Sequence, residues 1–126
     1  QRAMRGIMPE ISPFGFAATE AAFRHGGEWH AQLIDYLRGN RERVAEMLDG
    51  VGGLKVVHPQ ATYLAWIDCR AAGIEHPQRF FEEIGVGLSD GADFGLPGFV
   101  RLNFGCPRSL LDQALERMRQ ALHHRA

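Results

Sequence analysis

Gly98-Phe99-Val100-Arg101-Leu102-Asn103-Phe104-Gly105-Cys106-Pro107-Arg108 is the stretch on which the fold turns. As a strand, its side-chain period of two sends Val100, Leu102 and Phe104 to one face and Phe99, Arg101 and Asn103 to the other. The first face requires a core. The second presents a fixed positive charge beside an amide, and a guanidinium in that setting is shaped to grip a carboxylate through two parallel hydrogen bonds. The plainer reading of Arg101, taken as a lone strand arginine, is a solvated residue on an open sheet face. Asn103 could orient the guanidinium or its bound anion, or be an ordinary polar residue of the same face.

Outward from this strand the pattern is that of a small sheet with helices. Upstream, Leu54 to His58 alternates as a short strand, and Thr62 to Cys69 carries the β-branched and aromatic residues of a second. Tyr63, Ala65 and Ile67 fall on one face of that second strand, and the short turn between the two predicts antiparallel pairing. Pro77 opens a short helix with Phe80, Phe81 and Ile84 on its buried side, ended by Gly85. Val86 to Ser89 reads as a brief strand and Asp90 to Gly98 as a glycine-rich loop. Downstream, Ser109-Leu110-Leu111-Asp112 has the form of a capping box, opening a last helix with Leu111, Ala114, Leu115, Met118 and Leu122 on one face.

The beginning of the chain is helical. Ser12-Pro13 is a helix start, with a capping hydroxyl followed by a proline that has no N–H to leave unpaired. His25-Gly26-Gly27 ends that helix, glycine taking the left-handed cap conformation. From Glu28 a long second helix carries Trp29, Leu33, Tyr36, Leu37, Val44, Met47 and Leu48 as one apolar stripe. The organisation expected is an arm or linker over residues 1–11, two helices over 12–51, and a small domain over 52–126. The fold class is α+β: a small, mainly antiparallel sheet of three to four strands covered on one face by helices and preceded by a long helix.

Composition narrows the partners. A chain of 126 residues with 45% hydrophobic content suits a single modest core. Fourteen basic residues against fifteen acidic ones leave no electrostatic footprint for nucleic acid, and no basic run suits a membrane surface. No apolar stretch is long enough to span a bilayer, so a cytoplasmic setting is expected. Cys69 and Cys106 read as buried reduced thiols rather than a disulfide. His25 and His30 are too far apart around a helix to pair on a metal, His123 and His124 read as a solvated helix end, and Asp90 and Asp93 as turn formers. Neither a Gly-x-Ser-x-Gly elbow nor a Walker lysine is present.

The run Ala61-Thr62-Tyr63-Leu64-Ala65-Trp66-Ile67-Asp68, then Gly85-Val86-Gly87-Leu88-Ser89, then Phe99 to Asn103 through Cys106-Pro107-Arg108, resembles the C-terminal part of fold-type I pyridoxal-phosphate enzymes. Within the class I/II aminotransferases it is most similar to the MalY/PatB branch of cystathionine β-lyases. The resemblance continues into Ala18-Thr19-Glu20-Ala21-Ala22-Phe23 and Gly39-Asn40-Arg41, and so covers nearly the whole chain. It implies that Arg101 binds a substrate α-carboxylate. It also makes the long helix a connector from a large cofactor domain, N-terminal to this chain and absent from it, in an enzyme expected to be a homodimer acting on a small-molecule amino-acid substrate.

Catalysis in that family requires a lysine to bind pyridoxal 5'-phosphate and move the substrate α-proton. The single lysine here, Lys55, stands in the Leu54–His58 strand, outside any Ser-x-x-Lys surroundings. The chain is therefore expected to be part of a longer polypeptide, to hold no cofactor itself and to have no turnover alone. Two function classes stay open. One is a fragment of a C–S β-lyase, or of an aminotransferase; the other is a non-catalytic α+β module binding a small carboxylate or a partner protein.

Overall fold

The computed structural model describes residues 12–124. In chain order these form helices α1 (Pro13–His25) and α2 (Gly27–Leu48), strands β1 (Lys55–Val57) and β2 (Leu64–Asp68), helix α3 (Pro77–Glu83), strands β3 (Ser89–Asp90) and β4 (Phe99–Asn103), and helix α4 (Arg108–His123). Two compact units meet between Asp35 and Tyr36, within α2. The arm expected over residues 1–11 lies outside the described residues.

In the first unit, α1 begins as its sequence dictates: Ser12 is the N-cap, its hydroxyl accepting from the Gly15 N–H at 3.2 Å, with proline next in line. Its end departs from expectation. Gly26 sits at φ −84°, outside the left-handed region, and donates its N–H to the Ala22 carbonyl at 2.8 Å. Glycine is needed there because a Cβ would run into that same carbonyl oxygen. No residue of α1 is buried, and Phe14, Phe16, Phe23 and Trp29 are all exposed.

The second unit holds the core. Its sheet has the order β1-β2-β4-β3 with every neighbouring pair antiparallel, so β4 is flanked on both sides. Alternation along β2 and β4 buries Ala65, Ile67, Val100 and Leu102, and Phe104 just past β4 is buried with them. Against this face pack Val44 and Leu48 of α2, Phe81 of α3, and Leu111, Leu115, Met118 and Leu122 of α4. The α+β reading therefore holds, with helices over one face and the long α2 before the sheet. Of the apolar stripe expected on α2, Val44 and Leu48 are core, whereas Tyr36 is exposed.

Two boundaries shift. The brief strand expected over Val86–Ser89 is confined to Ser89 and Asp90, which pair with Arg101 and Val100. Val86 and Leu88 are core side chains instead. Nor does Ser109 cap α4: the helix starts two residues earlier than such a cap would set it, and Pro107 precedes it without a side-chain cap. The start is fixed by a distant group, since the Arg108 N–H donates to the Tyr36 hydroxyl at 2.6 Å. Asp112, freed from any capping role, accepts from Arg43 Nε at 2.8 Å and ties α4 to α2.

Candidate carboxylate-binding site

On the face of the sheet turned away from the core stand Trp66 and Asp68 of β2 and Phe99, Arg101 and Asn103 of β4, as alternation requires. Register sets Arg101 between Trp66 on one neighbour and Ser89 on the other. Its guanidinium donates from one terminal nitrogen to the Ser89 hydroxyl at 3.3 Å and lies over the Phe94 ring, 4.2 Å from the centroid. Its Nε–H is shielded from solvent and has no acceptor among the described residues.

The other arginines of this unit show what a committed guanidinium looks like. Arg70 donates to Asp68 at 2.9 and 2.7 Å, a bidentate pair beside the Phe99 ring. That pairing, with a further bond from the Arg70 backbone N–H, lowers the Asp68 carboxyl from its ordinary value near 3.8 to about 2. Arg43 and Arg119 are likewise paired with carboxylates. Arg108 is taken up by the Asn40 side-chain oxygen at 3.0 Å, the Tyr36 carbonyl at 3.2 Å and the face of the Tyr36 ring. Arg101 differs from Arg70, Arg43 and Arg119 in having no carboxylate partner among the described residues, and from Arg108 in leaving its Nε–H without an acceptor. An anion with two oxygens in one plane is the chemical complement of such a group.

Asn103 shares the Arg101 face and is exposed, but its side-chain oxygen accepts from the Gly105 N–H at 2.8 Å. That oxygen belongs to the turn leaving β4; the amide nitrogen is what it can offer an anion. The two thiols carry no site chemistry. Burial pushes Cys69 up to about 12, and Cys106 is raised by the same cause. Asp90, read as a turn former, is one: its carboxylate accepts from the Ala92 N–H at 2.9 Å.

Asn40 escaped notice as a structural determinant. It is fully buried, its side-chain nitrogen donating to the Phe104 carbonyl at 2.9 Å and the Cys106 carbonyl at 3.0 Å while its oxygen holds Arg108. It thus clamps α2 to the segment leaving β4. The one available signal was an amide among the apolar positions of a helical stripe, three residues after Leu37 and four before Val44. Phe94 was equally unmarked, since an aromatic residue in a glycine-rich loop has no periodicity to place it.

Residues 2–118 match the family Aminotransferase class I and II, and the chain belongs to that family. It is similar to the cystathionine beta-lyase PatB of Bacillus subtilis, 36% identical over 118 residues that cover 89% of this chain and 30% of that protein. Among solved structures, OvoB superposes with a TM-score of 0.90 at 45% identity, over 96% of this chain and 32% of that one. Cystalysin from Treponema denticola, a structure containing a pyridoxal 5'-phosphate cofactor, gives 0.87 at 25% identity, over 98% and 33%. The chain spans about a third of the length of these relatives. The likeness to the pyridoxal-phosphate C–S lyases inferred from the strand motifs is borne out.

The chain's single lysine does not stand beside the strand of Arg101. Lys55 is exposed on the edge strand β1, paired in register with Asp68, and β2 lies between it and the strand of Arg101.

Proposed function

We propose that this chain supplies the substrate α-carboxylate anchor of a pyridoxal-phosphate-dependent C–S β-lyase acting on amino acids. Arg101 is the clamp and Asn103 its polar neighbour. The observation that carries the reading is the state of Arg101: a half-buried guanidinium with a shielded, unmatched N–H and no carboxylate paired with it among the described residues. Leaving a buried N–H unmade costs about 1–3 kcal/mol, and an arriving anion recovers part of this. Similarity to cystathionine beta-lyases supports the reaction class.

The chemistry assigned to this chain is positioning. The guanidinium fixes the acid end of the amino acid, and so selects which bond at the α-carbon is aligned for cleavage. The cofactor and the proton-transferring lysine belong to a large domain that precedes the arm over residues 1–11, the two helices over 12–51 that include the connector, and the small C-terminal domain over 52–126. In this reading the whole protein is a cytoplasmic homodimer and the isolated chain has no turnover.

The test is Arg101→Ala in the whole enzyme. Loss of a charge-assisted bidentate contact of roughly 2–4 kcal/mol raises KM for the amino acid about 30- to 700-fold, with the melting temperature little changed. Unchanged KM refutes the clamp. Release of pyruvate and ammonia from cystathionine identifies the lyase, whereas transfer of the amino group to a keto acid identifies an aminotransferase. The isolated chain mixed with pyridoxal phosphate should yield no discrete reducible adduct; one on Lys55 that survives competing free amines refutes the assignment of the missing half.

A further inference from the structure

The loop between β3 and β4 is built with more care than a connection needs. Residues Gly91–Phe94 form a single 3-10 turn, opened by the Asp90 carboxylate accepting from the Ala92 N–H. It is closed by Gly95 at φ +79°, whose N–H donates to the Ala92 carbonyl at 3.0 Å, and the Leu96 N–H donates to the Gly91 carbonyl at 2.9 Å. Gly91 is buried so closely against the Leu96 and Phe99 carbonyls that a Cβ there would strike both oxygens. All of this fixes the position of one side chain, Phe94.

Phe94 is not a core residue: it stays 47% exposed. Its ring lies over the Arg101 guanidinium at 4.2 Å and makes a T-shaped contact with Trp66 at a centroid distance of 5.5 Å and an angle of 78°. Trp66 is itself the cross-strand partner of Arg101. The Phe94 ring is thus shared by the guanidinium and the indole, with Ser89 restraining the guanidinium from the β3 side.

A bidentate grip demands that guanidinium and carboxylate share a plane, and an arginine on an open sheet face has several torsions free to spoil it. An aromatic face is the one neighbour that attracts the cation, sets its plane and leaves its hydrogen-bonding edge uncommitted. A carboxylate in that place would cancel the charge and consume the donors, as Asp68 does to Arg70. We infer that Phe94, braced by Trp66, is a positioning residue that holds the Arg101 guanidinium in the plane required to receive the α-carboxylate. This rests on the carboxylate-anchor reading of Arg101.

The experiment measures KM and kcat of the whole holoenzyme for its amino-acid substrate in Phe94→Leu, Phe94→Tyr, Arg101→Lys and the Phe94→Leu/Arg101→Lys double variant. Phe94→Leu keeps apolar bulk and removes the π face, so KM rises about 3- to 30-fold while kcat stays within about twofold. Phe94→Tyr keeps the face and remains near the parent. In the Arg101→Lys background, Phe94→Leu adds less than about twofold, because its effect passes through the guanidinium. Unchanged KM in Phe94→Leu with a large rise in Arg101→Lys overturns the positioning role and leaves the anchor standing, as does an equal further loss in the double variant. Unchanged KM in Arg101→Lys and Arg101→Ala alike overturns the anchor itself.

Discussion

Replacing Asn40 with leucine tests the logic of this fold most severely. The substitution keeps the branching and the number of side-chain heavy atoms and suits a helix, so a scale of propensity or hydrophobicity would rate it harmless or favourable. The structure says otherwise. Asn40 is 0% exposed, and its amide makes the bonds to the Phe104 carbonyl, the Cys106 carbonyl and Arg108 Nε. Leucine strands all three groups, but not at equal cost. The Arg108 end is exposed and turns to water at little expense. The Phe104 carbonyl is buried and the Cys106 carbonyl partly so, and an unsatisfied buried polar group costs about 1–3 kcal/mol. The sum is about 2–4 kcal/mol, a large fraction of the stability of a domain of this size. Urea unfolding of the chain followed by tryptophan fluorescence reads it directly. With a slope of roughly 1–2 kcal/mol per molar, the midpoint should fall by about 2 M. Arg108→Gln, which takes the donor away from the Asn40 oxygen alone, should cost less than Asn40→Leu, about 1–2 kcal/mol. If Asn40→Leu stays within about 0.5 kcal/mol of the parent, the clamp is not a determinant and the segment leaving β4 is held by packing alone.

Two further outcomes follow from local geometry. Gly91→Ala places a methyl against the Leu96 and Phe99 carbonyl oxygens, and the displaced loop should cost about 1–3 kcal/mol in the same unfolding assay. Asp68 is depressed in the folded state by Arg70, so its stabilisation is complete above its ordinary value near 3.8 and is lost as pH falls toward about 2. The stability difference between the parent and Asp68→Asn should therefore shrink over that acid window, and a difference independent of pH there refutes the pairing.

Much of this protein was legible residue by residue. Alternation in Thr62–Cys69 and Phe99–Phe104 identified both central strands and which side of each is buried, because a period of two needs no knowledge of partners. The Ser12-Pro13 start was equally local, since the cap and its acceptor lie three residues apart. The order of the strand motifs also sufficed to name the family, and the placement of Arg101 opposite the apolar face followed from its position in the alternation. Where the reading failed, a remote group had taken over a local role. Ser109 could have capped α4, but the Tyr36 hydroxyl, 72 positions from Arg108, takes the Arg108 N–H and the helix starts two residues earlier. Gly26 ends α1 through a close approach to Ala22 rather than a left-handed turn.

Sequence by itself determined the elements, their faces and the presence of one arginine on the open side of the sheet, all consequences of backbone periodicity and short-range sterics. Whether that arginine was spent was a matter for tertiary structure. Arg70, Arg101 and Arg108 are chemically alike in the sequence; the fold gives the first a carboxylate, the last a buried amide, and the middle one only a hydroxyl and a ring. Charge is a property of a residue, but its availability depends on what the chain brings within a few ångströms of it, and that is settled only when strands far apart in sequence fall into register.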